Sequence, residues 1–444
     1  MNTPINDFLD KYNKSGTLRC HMPGHKGIAP ERTMEDAYAM DITEISGADS
    51  LFEAEGIIRR SEENAAMLWG SADTLFSAGG STLCIQAMLA AMKLEGRRAV
   101  AVRNVHRAFL NAAVLLDLDT QWLIPEYSGG ILSGRIDPAK AEQMLDKHSF
   151  LYVTSPDYTG AMADIPELSR ICRKKGAKLL VDCAHGAHLP FFETNMHPVA
   201  LGADICCNSA HKMLPALTGA AMLHSAKPGY RDILRQCMSM FGSTSPSYLI
   251  MNSLDLCCRY VSDRIRGDIQ RSLPLIDSFR SAFAGKLLFT DGDPFHITIR
   301  AAESGSDGRE LADMLRKNGA ECEYADRELV ILLMSPVNTP DDYRRLERAL
   351  SGAMKNTRKT AAAARNFYLP EPEQVMTMRQ AAFSPCEEIP VTMSEGRVCA
   401  SVKVPCPPAI PIVVSGERIT PAHIEIFRNY GIDTVLVTKE EGGR

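Results

Sequence analysis

The sequence predicts an α/β protein with a mostly parallel sheet covered on both faces, followed by smaller α/β units toward the C-terminus. Two observations carry this. Between residues 75 and 223, short β-rich runs alternate at regular spacing with amphipathic helical stretches, and beyond residue 285 a shorter strand–helix–strand pattern begins. Strands that alternate with helices need crossover connections, which place helices on both faces of the sheet.

In order, the β-rich runs are DTLFSAG (73–79), RAVAVR (98–103), TQWLIP (120–125), FLYVTS (150–155), AKLLVD (177–182), ADICCNS (203–209) and GAAMLH (219–224). Helical patterns such as STLCIQAMLAAMKLEG and IPELSRICRKKG lie between them, the latter closed by a glycine stop signal. A helical stretch over 230–284 bridges to the smaller unit, made of FHITIR (295–300), a helix around ELADMLRKNG (310–319) and ELVILLM (328–334). KNTRKTAAAAR (355–365) suits a linker helix. A Pro-rich segment with PCPPAIP at 405–411 precedes a last strand, DTVLVT (433–438). The expected domains are an N-terminal arm (1–55), a large domain (56–285), a small α/β domain (286–365) and a C-terminal domain (366–444).

With 444 residues, 45% hydrophobic and 23% charged, the chain has the composition of an ordinary globular protein large enough for two or three domains. A net charge of −5 offers no basic excess to neutralise phosphates, which argues against nucleic acid and for a small-molecule partner. The start, MNTPINDFLDKYNK, lacks the basic and apolar regions of a secretion signal, and no apolar run approaches the ~20 residues that span a bilayer, so a cytoplasmic protein with no membrane partner is expected. Thirteen cysteines, odd in number, irregularly spaced and without a Cys-x-x-Cys pair, read as reduced thiols.

Ligands of open α/β sheets sit at the carboxyl ends of strands, and four such points carry chemistry. AGGST (78–82) opens a helix, so its glycines, Ser81, Thr82 and the helix N-terminus suit an anion, or simply a capped turn. In RNVHRAF (103–109), His106 follows a strand and suits stacking on a planar ring, or a structural role. In LLVDCAHGAH (179–188), Asp182 ends an apolar strand, where a carboxylate wants a cationic partner such as a protonated pyridine, or caps the next turn. In NSAHKMLPALTGA (208–220), Lys212 follows a strand beside His211, a setting that lowers an ammonium pKa as a Schiff-base lysine requires, though most lysines are only solvated.

Their order matters more than any one of them. A phosphate turn, a stacking histidine, a strand-end Asp and a strand-end Lys, in that sequence, form the layout of fold type I enzymes that use pyridoxal 5'-phosphate (PLP). Each part meets a separate need of that cofactor.

The chain also resembles the Orn/Lys/Arg decarboxylase family in its short form without a wing domain. The likeness runs through HMPGHKG (21–27), DITEISGADSLFEAEGII (41–58), AGGST, RNVHRA, TSPDYTGAMADI (154–165), DCAHGAH, SAHKMLPALTG, GSTSPSY (242–248) and GRVCASVKVPCPPAIPIVVSGE (396–417). The resemblance implies that Lys212 carries PLP as a Schiff base, Asp182 pairs with the pyridine nitrogen, His106 stacks on the ring and His185 lies beside Asp182. It implies that Ser81, Thr82, Ser209 and His211 hold the phosphate. It further implies that Ser243 or Thr244 reaches the phosphate of a neighbouring subunit, in a homodimer or larger assembly that shares its sites. HMPGHKG would be a structured arm at the site entrance.

The implied reaction is decarboxylation of lysine, arginine or ornithine to the amine. Lys212 or a nearby histidine, His106 or His211, would return the proton. Glu323 in ECEYAD (321–326) and Glu417 are the acidic candidates for the distal end of a basic substrate. No metal is expected, because neither histidine pair, His21/His25 or His185/His188, has an acidic third ligand at recognisable spacing. The departures fall at Cys406, Pro407, Pro408 and Ala409, where the family reads Tyr-Pro-Pro-Gly, at Ser415-Gly416-Glu417, where it reads Pro-Gly-Glu, and at Ala108. They leave the cofactor residues intact and bear on the substrate. An aminotransferase or lyase on the same fold, and a PLP-binding homologue with a regulatory role, are the competing readings.

Overall fold

The computed structural model describes every residue except 128–129, 359, 361–367, 402–409 and 440–444. The departures at Cys406–Ala409 and most of the 355–365 linker therefore lie outside the described residues. The chain divides into two compact units: residues 1–94, 178–272 and 335–337 form the first, and residues 95–177, 273–334 and 338–444 the second.

The first unit carries four strands side by side in the order Asp73–Ser77, Ala221–Ser225, Ile205–Asn208 and Lys178–Asp182. The last two run parallel, with Asp182 opposite Cys207, while Ala221–Ser225 is antiparallel to both its neighbours. Each strand is buried almost throughout, as its near-continuous apolar run requires. Helix Gly80–Leu94 is apolar on most of its circumference and has nine buried residues, so it is a core helix rather than a surface one.

The helical stretch expected over 230–284 is three helices, Arg231–Phe241, Tyr248–Asp263 and Ile265–Ala282. The first break falls at GSTSPS, where Ser247 caps the second helix by accepting from the Ile250 amide. In the N-terminal arm, His25 Nε2 meets Asp41 at 3.1 Å, and Tyr12 Oη meets His21 Nε2 at 2.6 Å.

In the second unit, Arg98–Val102 lies between Thr120–Leu123 and Ser149–Thr154, all parallel. Helix Ile165–Lys175 starts at an Asp164 cap and ends at Gly176, whose φ of 69° is the left-handed closure that the glycine stop signal anticipates. His296–Arg300, Leu329–Leu333 and Tyr324–Ala325 form an antiparallel sheet with helices Gly308–Lys317 and Pro340–Asn356. A further sheet pairs Cys386–Pro390 and Cys399–Ser401 with Thr434–Thr438, closed by an apolar cluster that includes Ile412, Val413, Ile419, Phe427 and Val437. Among the described residues no helix is long and apolar enough to cross a membrane.

Candidate active site

The turn before helix Gly80–Leu94 is built by Ser77, whose hydroxyl donates to the Gly80 carbonyl at 2.9 Å and accepts from the Gly79 amide at 3.2 Å. Gly80 has φ 67°, which a side chain would strain, and nothing stands within 4 Å of where its Cβ would be. One residue on, the Ser209 hydroxyl donates to Ser81 Oγ at 2.9 Å. Two hydroxyls thus meet at the positive end of a 15-residue helix, where amides without intrahelical partners accumulate. Thr82, in the same turn, is exposed.

Asp182 ends its strand 2% exposed. Its Oδ1 accepts from the Ala184 amide at 3.1 Å and lies 3.8 Å from Cys207 Sγ on the neighbouring strand. Because Asp182 and Cys207 are register partners, the strand carrying Asp182 runs beside the one that leads into Ser209 and the short helix Ala210–Met213. That helix presents Lys212, whose Nζ is 3.0 Å from Nε2 of the buried His185. His211 Nδ1 donates to the Ala220 carbonyl at 2.9 Å. Burial lowers the His211 pKa and the nearby Lys212 charge lowers it further, against a raising effect of the Ala220 carbonyl. The first unit therefore brings Ser81, Asp182, His185, Ser209, His211 and Lys212 to the strand ends: two contacting pairs, Ser81 with Ser209 and His185 with Lys212, the Asp182 carboxylate, and His211 held on the Ala220 carbonyl. Ser243 and Thr244 are exposed beyond the end of helix Arg231–Phe241.

His106 belongs to the second unit. It caps helix Arg107–Leu116, its Nδ1 accepting from the Ala108 amide at 3.1 Å, so a neutral ring carries its proton on Nε2. Glu323 is exposed and accepts from Tyr158 Oη at 2.8 Å. Glu417 is fully buried, with both carboxylate oxygens in a fork with Arg103 at 2.8 and 2.7 Å. Neither Arg103 nor Tyr158 carries a sequence expectation. A charged residue directly after the apolar run RAVAV was the available signal for Arg103, since a buried guanidinium demands a partner. Among the described residues no group of three or more His, Cys, Asp or Glu is placed to hold a metal.

The Orn/Lys/Arg decarboxylase major domain matches residues 3–299, and the C-terminal domain of that family matches residues 360–430. The chain belongs to the Orn/Lys/Arg decarboxylase family. Ser81, His106, Asp182 and Lys212 fall inside the first match and Glu417 inside the second, whereas Glu323 lies between them. Among curated relatives, the arginine decarboxylase of Bacillus subtilis is 29% identical over 96% of this chain and 93% of its own length. Among solved structures, the Francisella novicida lysine decarboxylase LdcF superposes with a TM-score of 0.81 at 17% identity, over 98% of this chain and 81% of that one. An SPT structure with a PLP internal aldimine matches with a TM-score of 0.54 at 14% identity, over 67% of this chain and 76% of that one. The structural likenesses establish the fold, that of the PLP enzymes of fold type I.

The donor set fits the cofactor that this family implies. The hydroxyl pair at a helix N-terminus suits a phosphate dianion. A buried carboxylate suits a protonated pyridine nitrogen, and a lysine held beside a histidine suits an imine with the aldehyde.

Proposed function

We propose that this decarboxylase holds PLP at Ser81, Thr82, Ser209 and His211 through the phosphate, at Asp182 through the ring nitrogen and at Lys212 through the aldehyde carbon, and acts on a basic amino acid. The observation that carries the reading is the meeting of the Ser81 and Ser209 hydroxyls at a helix N-terminus, in a unit whose adjoining strands end at Asp182 and lead into Lys212. Bound PLP would supply an electron sink for the pair released as carbon dioxide leaves.

The chain's own groups do the rest. Asp182, desolvated at its strand end, keeps a proton on the ring nitrogen, because a buried carboxylate gains most from a charged partner. Lys212 has a hydrogen-bond partner in His185 Nε2, to which it can pass a proton when it must act as a neutral amine. Once His185 has handed that proton back, Lys212 as the ammonium returns it to the substrate α-carbon, with His211 and His106 as the other donors to test. His106 is assigned to the face of the ring through the family likeness, its orientation set by the Ala108 amide.

Glu323 is the preferred partner for the distal cation of the substrate, since it is exposed and held by Tyr158. Arginine is the first substrate to try, because relatives that align over nearly the whole chain bear the name arginine decarboxylase. The assembly is a homodimer or larger in which Ser243 or Thr244 reaches the neighbouring phosphate.

The test incubates PLP-loaded protein with arginine, lysine and ornithine, and follows carbon dioxide, amine and keto acid. Carbon dioxide and amine in equal amounts are expected, with borohydride trapping the cofactor on Lys212. Keto acid in place of carbon dioxide would make the enzyme an aminotransferase.

A further inference from the structure

Arg103 follows strand Arg98–Val102 directly, and its own amide still bonds the Leu123 carbonyl at 3.0 Å. Its side chain is 1% exposed and that of Glu417 0%. Besides the fork to Glu417, Arg103 Nη2 donates to the Ile412 carbonyl at 3.3 Å, and the guanidinium lies over the Trp122 ring at 4.7 Å. Glu417 Oε2 also accepts from the Val414 amide at 2.9 Å. A pair this deeply desolvated contributes little net stability over well-packed apolar residues, so what it contributes is geometry.

That geometry has an address. Only Asn104 and Val105 separate Arg103 from His106, which closes the connection as the cap of helix Arg107–Leu116. The buried fork fixes where the connection begins and the cap fixes where it ends.

We infer that Arg103 and Glu417 are positioning residues for His106, through which the 410–417 segment holds the connection that carries this ring, and that Glu417 does not meet the substrate. The assignment of a cofactor role to this positioning rests on the reading of His106 as a residue of the PLP site. Neutralising Glu417 leaves Arg103 buried with an uncompensated charge, and the connection loosens at its start.

The experiment compares wild type with Glu417→Gln, Glu417→Asp, Arg103→Lys and a control, Leu315→Ala, which opens a cavity in the same unit under helix Gly308–Lys317, outside the apolar cluster that surrounds the pair. Amide exchange over residues 103–108 is measured without PLP, then PLP affinity by visible circular dichroism, then KM at saturating PLP. Glu417→Gln should speed exchange at 103–108 and weaken PLP affinity about tenfold each, with KM moved less than about twofold, because displacement of a positioned group acts on what that group touches. Glu417→Asp should restore most of both. Leu315→Ala should leave both at wild-type values despite its lost stability.

If Glu417→Gln does not fold, Arg103→Lys, which keeps the charge but not the fork, must show the same loosening in smaller degree. Unchanged exchange at 103–108, or a KM raised about tenfold with PLP affinity intact, overturns the inference and returns Glu417 to the substrate pocket. A wild-type protein that bound no PLP would sink the cofactor reading alone, because the exchange measurement decides the positioning without it.

Discussion

Lys212 Nζ and His185 Nε2 stand 3.0 Å apart, though 27 residues separate them in the chain. On the proposed assignment of Lys212 as the Schiff-base lysine, this histidine nitrogen is placed to take the proton that the amine has to shed. Lys212→Ala should abolish turnover and leave no borohydride-stable adduct on the peptide containing position 212. His185→Ala should retain the adduct and lower kcat about a hundredfold, within the range for loss of a general acid–base group. A His185→Ala enzyme with wild-type kcat would show that the contact is only structural.

The contact between the Ser81 and Ser209 hydroxyls predicts coupling as well as loss. Removing either hydroxyl should weaken PLP affinity by about 1.5 kcal/mol, the worth of a hydrogen bond to a charged group, or roughly tenfold. The double Ser81→Ala/Ser209→Ala variant should lose less than the sum, since each single change already disturbs the pair. Strict additivity in fluorescence titrations would mean that the two hydroxyls act independently.

Gly160, in the TSPDYTG motif, has φ 92°, and a Cβ there would stand 2.4 Å from the Cβ of His296. His296 cannot yield easily, because its Nδ1 is held by Asp293 at 2.7 Å and the Asp293 amide is itself bonded to the Gly160 carbonyl at 2.8 Å. Gly160→Ala should therefore cost about 3 kcal/mol or more, from backbone strain and overpacking together. A urea midpoint within error of wild type would show that this turn relaxes freely.

Much of this organisation is legible in the sequence wherever one local signal suffices. AKLLVD and ADICCNS read as strands because each is a short apolar run ended by a polar residue, and the structure has Lys178–Asp182 and Ile205–Asn208. The strand Cys386–Pro390 was not legible: its sequence, CEEIP, has two adjacent charges and a proline, and no residue of it is fully buried. The single helical stretch over 230–284 became three helices because apolar periodicity carries across the GSTSPS break. The Arg103–Glu417 pair spans 314 residues, and no periodicity or motif ties two such positions together. Glu417 could be picked out as a functional carboxylate, but only three-dimensional proximity reveals that its charge is already matched.

Two buried histidines outside the proposed site should weaken the fold as the pH falls. His197 and His224 are fully buried, with rings edge to face and centroids 5.3 Å apart. His197 Nε2 lies 3.0 Å from Asn208 Oδ1, and His224 Nδ1 lies 2.9 Å from Thr74 Oγ1. Burial pushes the His197 pKa down to about 4 from 6.5, against the opposing effect of Asn208, and pushes His224 well below its ordinary value. In the unfolded chain both take up a proton near the ordinary value, while the folded chain refuses it, so the unfolded state binds more protons as pH falls. Their contribution is thus complete above pH 6.5 and is lost progressively below it, until the folded state protonates in turn near pH 4 for His197. At about pH 5 the loss amounts to roughly 2 kcal/mol for His197 alone. His197→Gln keeps a donor for Asn208 and removes the titration, so the fall in urea midpoint between about pH 7.5 and pH 5 should be smaller in the variant than in wild type. Equal falls in the two proteins would mean that His197 titrates alike in both states and that other groups set the acid limit.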